Sequence, residues 1–420
     1  MKIWILNHYA TDMYFDKGGR HHSFAKYMIR MGHDVKIFCA NTVHNSDIVV
    51  DTENKLFIEK CSEDNIPYVF VKARPYQGNG RTRILNMLDY YKNIKHVLNE
   101  YRKQEGLPDV VLASSVHPLT LVAGIKWSKK NKIKCICEVR DLWPESIVEF
   151  TKFTKKNLFV KFLYIMEKKI YIKADALIFT MEGGKQYIID KQWDKKVDLN
   201  KIYHINNGVD LEVFNDNIEK YIFEDKFDVK DNDINIVYAG SIRVANNVKN
   251  LANIAKALKQ KNIKNINIVI YGDGPGKKEI DDFILKNELD NIYMMGKIDK
   301  KYIPNVLSKP NNINCLNYKY SNIFRYGGSQ NKLFEYLASG NPVISNVSMG
   351  YDIIEKYNAG IVVGSDDIDD WINKILYLSY LSHEEYKELC NNARKAAMDY
   401  DFKVLTEKLL KVMEIVKHKN

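Results

Sequence analysis

The sequence predicts an α/β protein with two domains, each a doubly wound parallel sheet. Three observations lead there. Short apolar strands alternate with amphipathic helical stretches, the pattern of a parallel sheet covered on both faces. The alternation runs to about residue 180 and restarts at residue 235, after the turn-forming cluster Asn206-Asn207-Gly208-Val209-Asp210. At 420 residues the chain also exceeds what one ordinary core serves.

Taken in order, strands are expected at 3–6, 34–38, 110–113, 134–139 and 176–180, with helices at 23–31 and 85–101. In the second half strands are expected at 235–239, 267–271 and 292–295, with helices at 248–259 and 277–286 between them. Cys315 and residues 343–345 continue that sheet. Residues 404–416 form an amphipathic helix with Leu405, Leu409, Met413 and Val416 on one stripe. The expected division is 1–205 and 206–401, with 402–420 returning to the first domain. Each domain is Rossmann-like, and a cleft is expected between the carboxyl ends of the two sheets. Ligands of such sheets sit beyond those ends, so chemistry belongs to the strand-to-helix loops.

Composition narrows the classes. With 45% hydrophobic and 28% charged residues, the balance is that of a globular protein rather than a disordered one. The net charge of +10 favours anionic partners such as nucleotide phosphates or acidic membrane surfaces. The basic residues show no patch tied to a nucleic-acid motif, so no nucleic-acid partner is expected. Cys39, Cys61, Cys135, Cys137, Cys315 and Cys390 include no C-x-x-C pair and no metal spacing, which reads as reduced, structural and cytosolic. Residues 3–6 are too short for a secretory signal, and no apolar run of about 18 residues is present.

Residues 321–350 are the most informative. Gly327 and Gly328 allow a ligand close to the backbone. Ser329 reads as the N-cap of a helix over 329–338, whose free N–H groups form an anion site beside the mobile cation of Lys332. Glu335 lies among Leu333, Phe334 and Leu337, where a carboxylate needs a partner such as a pair of sugar hydroxyls. An ordinary strand-linking helix with solvated Lys and Glu is the alternative.

Other loops fit a nucleotide site. Gly240-Ser241-Ile242-Arg243, Tyr271-Gly272-Asp273-Gly274-Pro275 and Gly296-Lys297-Ile298 end three successive strands, which suits a ligand lying flat against backbone. Arg243 and Lys332 would supply the two cations that a departing diphosphate needs. In the first half, Gly18-Gly19 precedes a helix without forming G-x-G-x-x-G, so nicotinamide binding is poorly supported. His117, at a strand tip ahead of Pro118, can contact a substrate hydroxyl or move a proton; a plain surface His is the alternative. Residues 138–146, Glu-Val-Arg-Asp-Leu-Trp-Pro-Glu-Ser, gather four ionisable groups that either pair internally through Arg140 and Asp141 or grip an acceptor. Over 151–173 aromatics and lysines interleave. Leu158, Phe162, Ile165 and Met166 share one helical face, which either packs on the sheet or presses on an anionic bilayer.

The motifs Gly18-Gly19, Ser115-x-His117, Asp141-Leu142-Trp143-Pro144-Glu145, Asn207-Gly208-Val209-Asp210, Tyr238-Ala239-Gly240-Ser241, Gly272-Asp273-Gly274-Pro275 and Lys332-Leu333-Phe334-Glu335-Tyr336 cover nearly the whole chain. With them the sequence resembles a family 4 retaining glycosyltransferase of the GT-B architecture, in the branch of capsule and O-antigen N-acetyl-fucosamine transferase-like members. The resemblance implies a UDP-sugar donor and a lipid-linked saccharide acceptor. It makes Glu335 the second Glu of the E-x7-E signature, holding the donor ribose. Lys332 and the backbone amides of Ser329, Asn331 and Leu333 would hold the diphosphate, and Lys297 and Ile298 would line the base. Gly18, Gly19, Gly240, Ser241 and Gly274 would also border the donor. His117, Arg243 and Lys332 would be catalytic. Arg140, Asp141, Trp143 and Glu145 would bind the acceptor. No metal or other cofactor is implied, because fixed cations and helix dipoles take that role. Two departures stand out: Gly327 replaces the first Glu of the signature, and Ser241 and Asn247 stand where many members carry Arg and Lys, with Arg243 as a substitute.

The expected function is transfer of an N-acetylated hexosamine or deoxyhexosamine from UDP to an undecaprenyl-diphosphate saccharide, by a cytoplasmic enzyme peripheral on the inner face of the membrane. A UDP-sugar 2-epimerase of the same architecture and a non-catalytic nucleotide- or polyanion-binding module are the alternatives.

Overall fold

The computed structural model describes residues 1–78, 80–115, 117–224 and 233–419. The chain forms two compact units, Met1–Asn206 with Phe402–Asn420, and Asn207–Asp401.

Eight strands build the first unit: β1 (Lys2–Leu6), β2 (Asp34–Ala40), β3 (Phe57–Cys61), β4 (Pro67–Val71), β5 (Val110–Ser114), β6 (Lys134–Val139), β7 (Ala176–Phe179) and β8 (Ile202–His204). Their order is β3-β4-β2-β1-β5-β6-β7-β8, parallel throughout except that the edge strand β3 runs against β4. The interior strands are mostly apolar, as a sheet covered on both faces requires, with Lys36 in β2 and Glu138 in β6 as charged residues within their spans. In β1 the residues Ile3 to Leu6 are all fully buried, with Ile3 beside Val35 of β2 and Val110 of β5. The order reverses there: chain leaving β1 goes first to one side and later to the other. Beyond the carboxyl ends of β1 and β5 the flanking connections diverge and leave a crevice. The Phe402–His418 helix packs on the Arg20–Arg30 helix, with the Phe24 and Phe402 rings edge-on at 5.5 Å and Lys417 paired to Asp109 at 2.8 Å.

The second unit holds β9 (Ile234–Ala239), β10 (Ile266–Tyr271), β11 (Ile292–Gly296), β12 (Asn312–Leu316), β13 (Val343–Ser345) and β14 (Gly360–Val362), in the order β11-β10-β9-β12-β13-β14, all parallel. Ile236, Ile268 and Ile313 pack with Leu251, Ile254 and Trp371 into one core. Its reversal lies between β9 and β12, which sets a second crevice beyond Ala239 and Leu316.

Two expectations need correction. The Ser329 helix begins later, as Asn331–Ser339, and its N-cap is Gln330 with no side-chain capping bond. The helix near 158–173 forms as Leu158–Lys173 but is turned over. Val160, Leu163, Glu167, Ile170 and Tyr171 face inward, while Leu158, Phe162 and Ile165 are exposed and Met166 is half-buried. Both stripes are apolar, and periodicity alone does not say which one meets the sheet. Among the described residues no helix is long and apolar enough to cross a membrane.

Candidate active site

The crevice of the second unit is built on glycine. After β9, Gly240 N–H donates to Tyr271 O at 2.8 Å and Ile242 N–H to Asp273 O at 2.8 Å, so the β9 and β10 loops continue as a paired ladder. A Cβ on Gly272 would land on the Gly240 carbonyl, and one on Gly240, where φ is 152°, would collide with the Lys332 side chain. The ladder floors an open cavity of about 440 Å³ bordered by Gly240, Ser241, Gly272, Gly274, Lys297 and Ile298.

Lys332, on the first turn of the Asn331–Ser339 helix, reaches back over this floor. Its Nζ donates to Tyr238 Oη at 2.6 Å and lies 4.3 Å from the Tyr238 ring centroid and 5.6 Å from that of Tyr318. Among the described residues no carboxylate pairs with it. Burial pushes the ammonium down to about 8; Glu335 counteracts this and Arg243 adds to it. Glu335, one turn on, is half-buried with no hydrogen bond or ion pair among the described residues. Burial raises its carboxyl, opposed by Lys300 and Lys332. An underprotonated cation and an unpartnered carboxylate on one helical turn form a site that a diphosphate and a vicinal diol would complete.

Arg243 is exposed, and its charge is felt at Lys332. Asn331 is exposed, and its Oδ1 accepts from Asn207 Nδ2 at 2.7 Å; the same amide donates to the Ser329 carbonyl at 2.8 Å. Leu333 is a core side chain, and its amide already donates to Gln330 O at 3.1 Å, so it offers no free N–H to a phosphate. Tyr238 stands in the Tyr238-Ala239-Gly240-Ser241 motif but has no role assigned from it, while Tyr318 and Asn246, which orders the Ser241 turn through its carbonyl at 2.6 Å, lie in no motif read from the sequence.

In the first unit the crevice brings His8, after β1, to His117, after β5. His8 Nδ1 and His117 Nε2 lie 2.5 Å apart, and His8 is stacked between Tyr9 and Tyr90 at 4.4 and 4.5 Å. Burial, then Arg83 nearby, takes His117 down to about 3, and burial holds His8 well below its ordinary value. Both rings are therefore neutral at physiological pH, and one must donate to the other. His117 Nδ1 is buried without a partner.

Gly19, with φ of 99°, is the N-cap of the Arg20–Arg30 helix, and Gly18 N–H is used by Met13 O at 3.2 Å. Ahead of residues 140–146, Glu138 is fully buried and structural. Its Oε1 accepts from Arg20 at 2.7 and 2.8 Å, and its Oε2 from Ser114 at 2.7 Å and His21 at 2.9 Å. Burial alone would raise this carboxyl, yet Arg20 and His21 hold it well below the usual range. Arg20 also donates to Asn206 O at 2.5 Å and Ile205 O at 2.9 Å. Arg140 and Asp141 form no ion pair with each other among the described residues. Asp141 is exposed and Trp143 half-buried. Glu145 is occupied by Lys191 and, at 3.3 Å, by Lys155, so its carboxylate is committed within the unit.

Residues 21–213 match the family model described as Glycosyltransferase Family 4, and residues 219–396 match that of Glycosyl transferases group 1. No functionally curated protein matches the sequence. Among solved structures the chain is similar to a glycosyltransferase from Rickettsia africae ESF-5, with 17% identity over 100% of this chain and 99% of that one and a TM-score of 0.68. It is similar to HepE from Anabaena, solved with UDP and glucose, with 14% identity over 99% of each chain and a TM-score of 0.66. A third is α,α-trehalose 6-phosphate synthase from Burkholderia multivorans, with 10% identity over 99% of this chain and 98% of that one and a TM-score of 0.69. At these identities the likeness is one of fold, the GT-B architecture.

Proposed function

We propose that this chain, a GT-B glycosyltransferase carrying a family 4 domain and a group 1 domain, moves an N-acetylated hexosamine or deoxyhexosamine from UDP to an undecaprenyl-diphosphate saccharide. The observation that carries the donor side is Lys332, a desolvated cation above a glycine floor, one turn from Glu335, neither of which has an ion-pair partner among the described residues. HepE, of the same fold, was solved with UDP. Lys332 and Arg243 would meet the diphosphate, Lys297 and Ile298 the base and Glu335 the ribose.

In the transfer the bond from the sugar's C1 to the diphosphate oxygen breaks, and its electron pair stays with the diphosphate. Lys332 and Arg243 stabilise that charge in place of a metal ion. The acceptor hydroxyl bonds to C1 from the same face and gives its proton to the departing oxygen, which retains the anomeric configuration. His117, hydrogen-bonded to His8 and neutral, would act as a hydrogen-bonding group rather than a titrating base. Arg140, Asp141 and Trp143 receive the acceptor. The reading places the enzyme in capsule or O-antigen synthesis, at the cytoplasmic face of the membrane.

The test is incorporation of radiolabelled sugar from a panel of UDP-sugars into undecaprenyl-diphosphate saccharides, with and without a chelator. Label in the lipid fraction, insensitive to chelation, is expected. Absence of product from every donor, or a mannosamine product from UDP-N-acetylglucosamine alone, would overturn the reading.

A further inference from the structure

The Leu158–Lys173 helix has two apolar faces, and only one is used. Val160, Leu163, Ile170 and Tyr171 are buried, while on the opposite side Leu158 is 81% exposed, Phe162 60% and Ile165 53%. The preceding segment extends the same surface. Phe150, Phe153 and Phe159 are also exposed, and the Phe153 and Phe159 rings lie 6.3 Å apart. A folded surface rarely carries so many large apolar side chains in one short stretch without something to cover them.

The charge around this patch is one-sided. From residue 150 to residue 173 the chain has seven lysines, at 152, 155, 156, 161, 168, 169 and 173, and a single carboxylate, Glu167. Glu167 is buried and accepts from Tyr171 Oη at 2.8 Å and Tyr187 Oη at 2.9 Å, so it does not offset the surface lysines, of which only Lys155, with Glu145 at 3.3 Å, has an ion-pair partner among the described residues.

We propose that this patch is a docking surface for an anionic lipid bilayer. The phenylalanine, leucine and isoleucine side chains enter the boundary between headgroups and acyl chains, and the lysine stems lie along them with their ammonium groups at the lipid phosphates. Charge complementarity selects this occupant. A second copy of the chain laid patch to patch would set lysines against lysines. The proposal deepens the lipid-linked acceptor reading and rests on it for its purpose, since a polyprenyl diphosphate is met only at a membrane.

The test is flotation of the full chain with vesicles of equal parts phosphatidylglycerol and phosphatidylcholine, against phosphatidylcholine alone. Binding to the anionic vesicles is expected to be at least about tenfold stronger. Phe162→Ser combined with Ile165→Ser should weaken it at least about tenfold, and Lys156→Glu with Lys161→Glu and Lys169→Glu should erase the lipid preference. All these positions are exposed, and calorimetric UDP binding should be unchanged in both variants. Three results would overturn the proposal: a native chain that does not float, variants that float like it, or a native dimer in light scattering that Phe162→Ser with Ile165→Ser makes monomeric. A native chain that floats but binds no UDP would sink the glycosyltransferase reading and leave the docking surface standing.

Discussion

Lys332 and Tyr238 share a 2.6 Å hydrogen bond across the end of β9, and that contact ties the cation of the proposed donor site to the sheet itself. The cation is therefore positioned before any anion arrives, and its burial keeps it near half-protonation at about pH 8. A bound diphosphate would return the lysine toward its ordinary value of 10.5.

UDP binding should accordingly take up protons at pH 8, and affinity should fall as pH rises above 8 because the free site must first be protonated. Calorimetry in buffers of different ionisation enthalpy measures the uptake, and a buffer-independent heat would contradict the assignment. Lys332→Met should weaken UDP by about 1.5–3 kcal/mol and abolish the uptake.

Gly240→Ala should weaken UDP by about tenfold or more, about 1.4 kcal/mol, because the new methyl displaces the Lys332 side chain and strains a φ of 152°. Unchanged affinity in a folded variant would show that Lys332 does not need its present position.

Glu335→Gln removes a half-buried carboxylate with no partner among the described residues, so the free protein should be no less stable. The variant should nonetheless lose discrimination between UDP and its 2′-deoxy analogue, which the native site should make by about 1.5–3 kcal/mol, the range for hydrogen bonds to charged groups. Isothermal titration with both ligands decides it.

The buried His8–His117 pair should make the first unit acid-labile. Both histidines have folded values depressed below 6.5, His117 to about 3. The unfolded chain thus binds more protons below pH 6.5, and stability present above that value is lost as pH falls toward 3. His21 moves in the same direction. Each contributes up to about 1.4 kcal/mol per pH unit. Urea midpoints between pH 6.5 and 4.5 should fall, and less steeply in His117→Gln.

Glu138→Gln should cost about 3–5 kcal/mol, because it leaves the Arg20 guanidinium buried without a counter-charge. Denaturant unfolding of Glu138→Gln, Arg20→Met and the double variant should show a double cost well below the sum of the singles.

The parallel sheets were legible because their interior strands are apolar runs between helical periods. The helix Lys277–Lys286 matches its expected bounds, and β1, β6 and β10 do so within a residue. The strands β3, β4, β8 and β14 were missed for physical reasons. Three residues of β3 are exposed at the sheet edge, β4 opens on Pro67, and β8 and β14 are three residues long. At the proposed donor site Gly240 was readable because it follows an apolar strand, and Lys332 and Glu335 because they are charges on an otherwise apolar helix. The role of Tyr238 beneath Lys332 was not, although it stands in the Tyr238-Ala239-Gly240-Ser241 motif, because a strand tyrosine looks like any core residue. His8 was hidden for another reason: its partner lies 109 positions away, and only the reversal of strand order between β1 and β5 joins them.

The Phe402–His418 helix seats on the Arg20–Arg30 helix, so the first unit includes residues made after residue 401. During synthesis all of 207–401 leaves the ribosome before that helix does. The usual order, in which the N-terminal domain matures first, is thereby inverted. The second unit can close while the first still exposes the apolar seat around Phe24. A nascent chain arrested at residue 401 should recruit a holdase chaperone at that seat, and one extended past residue 418 should shed it.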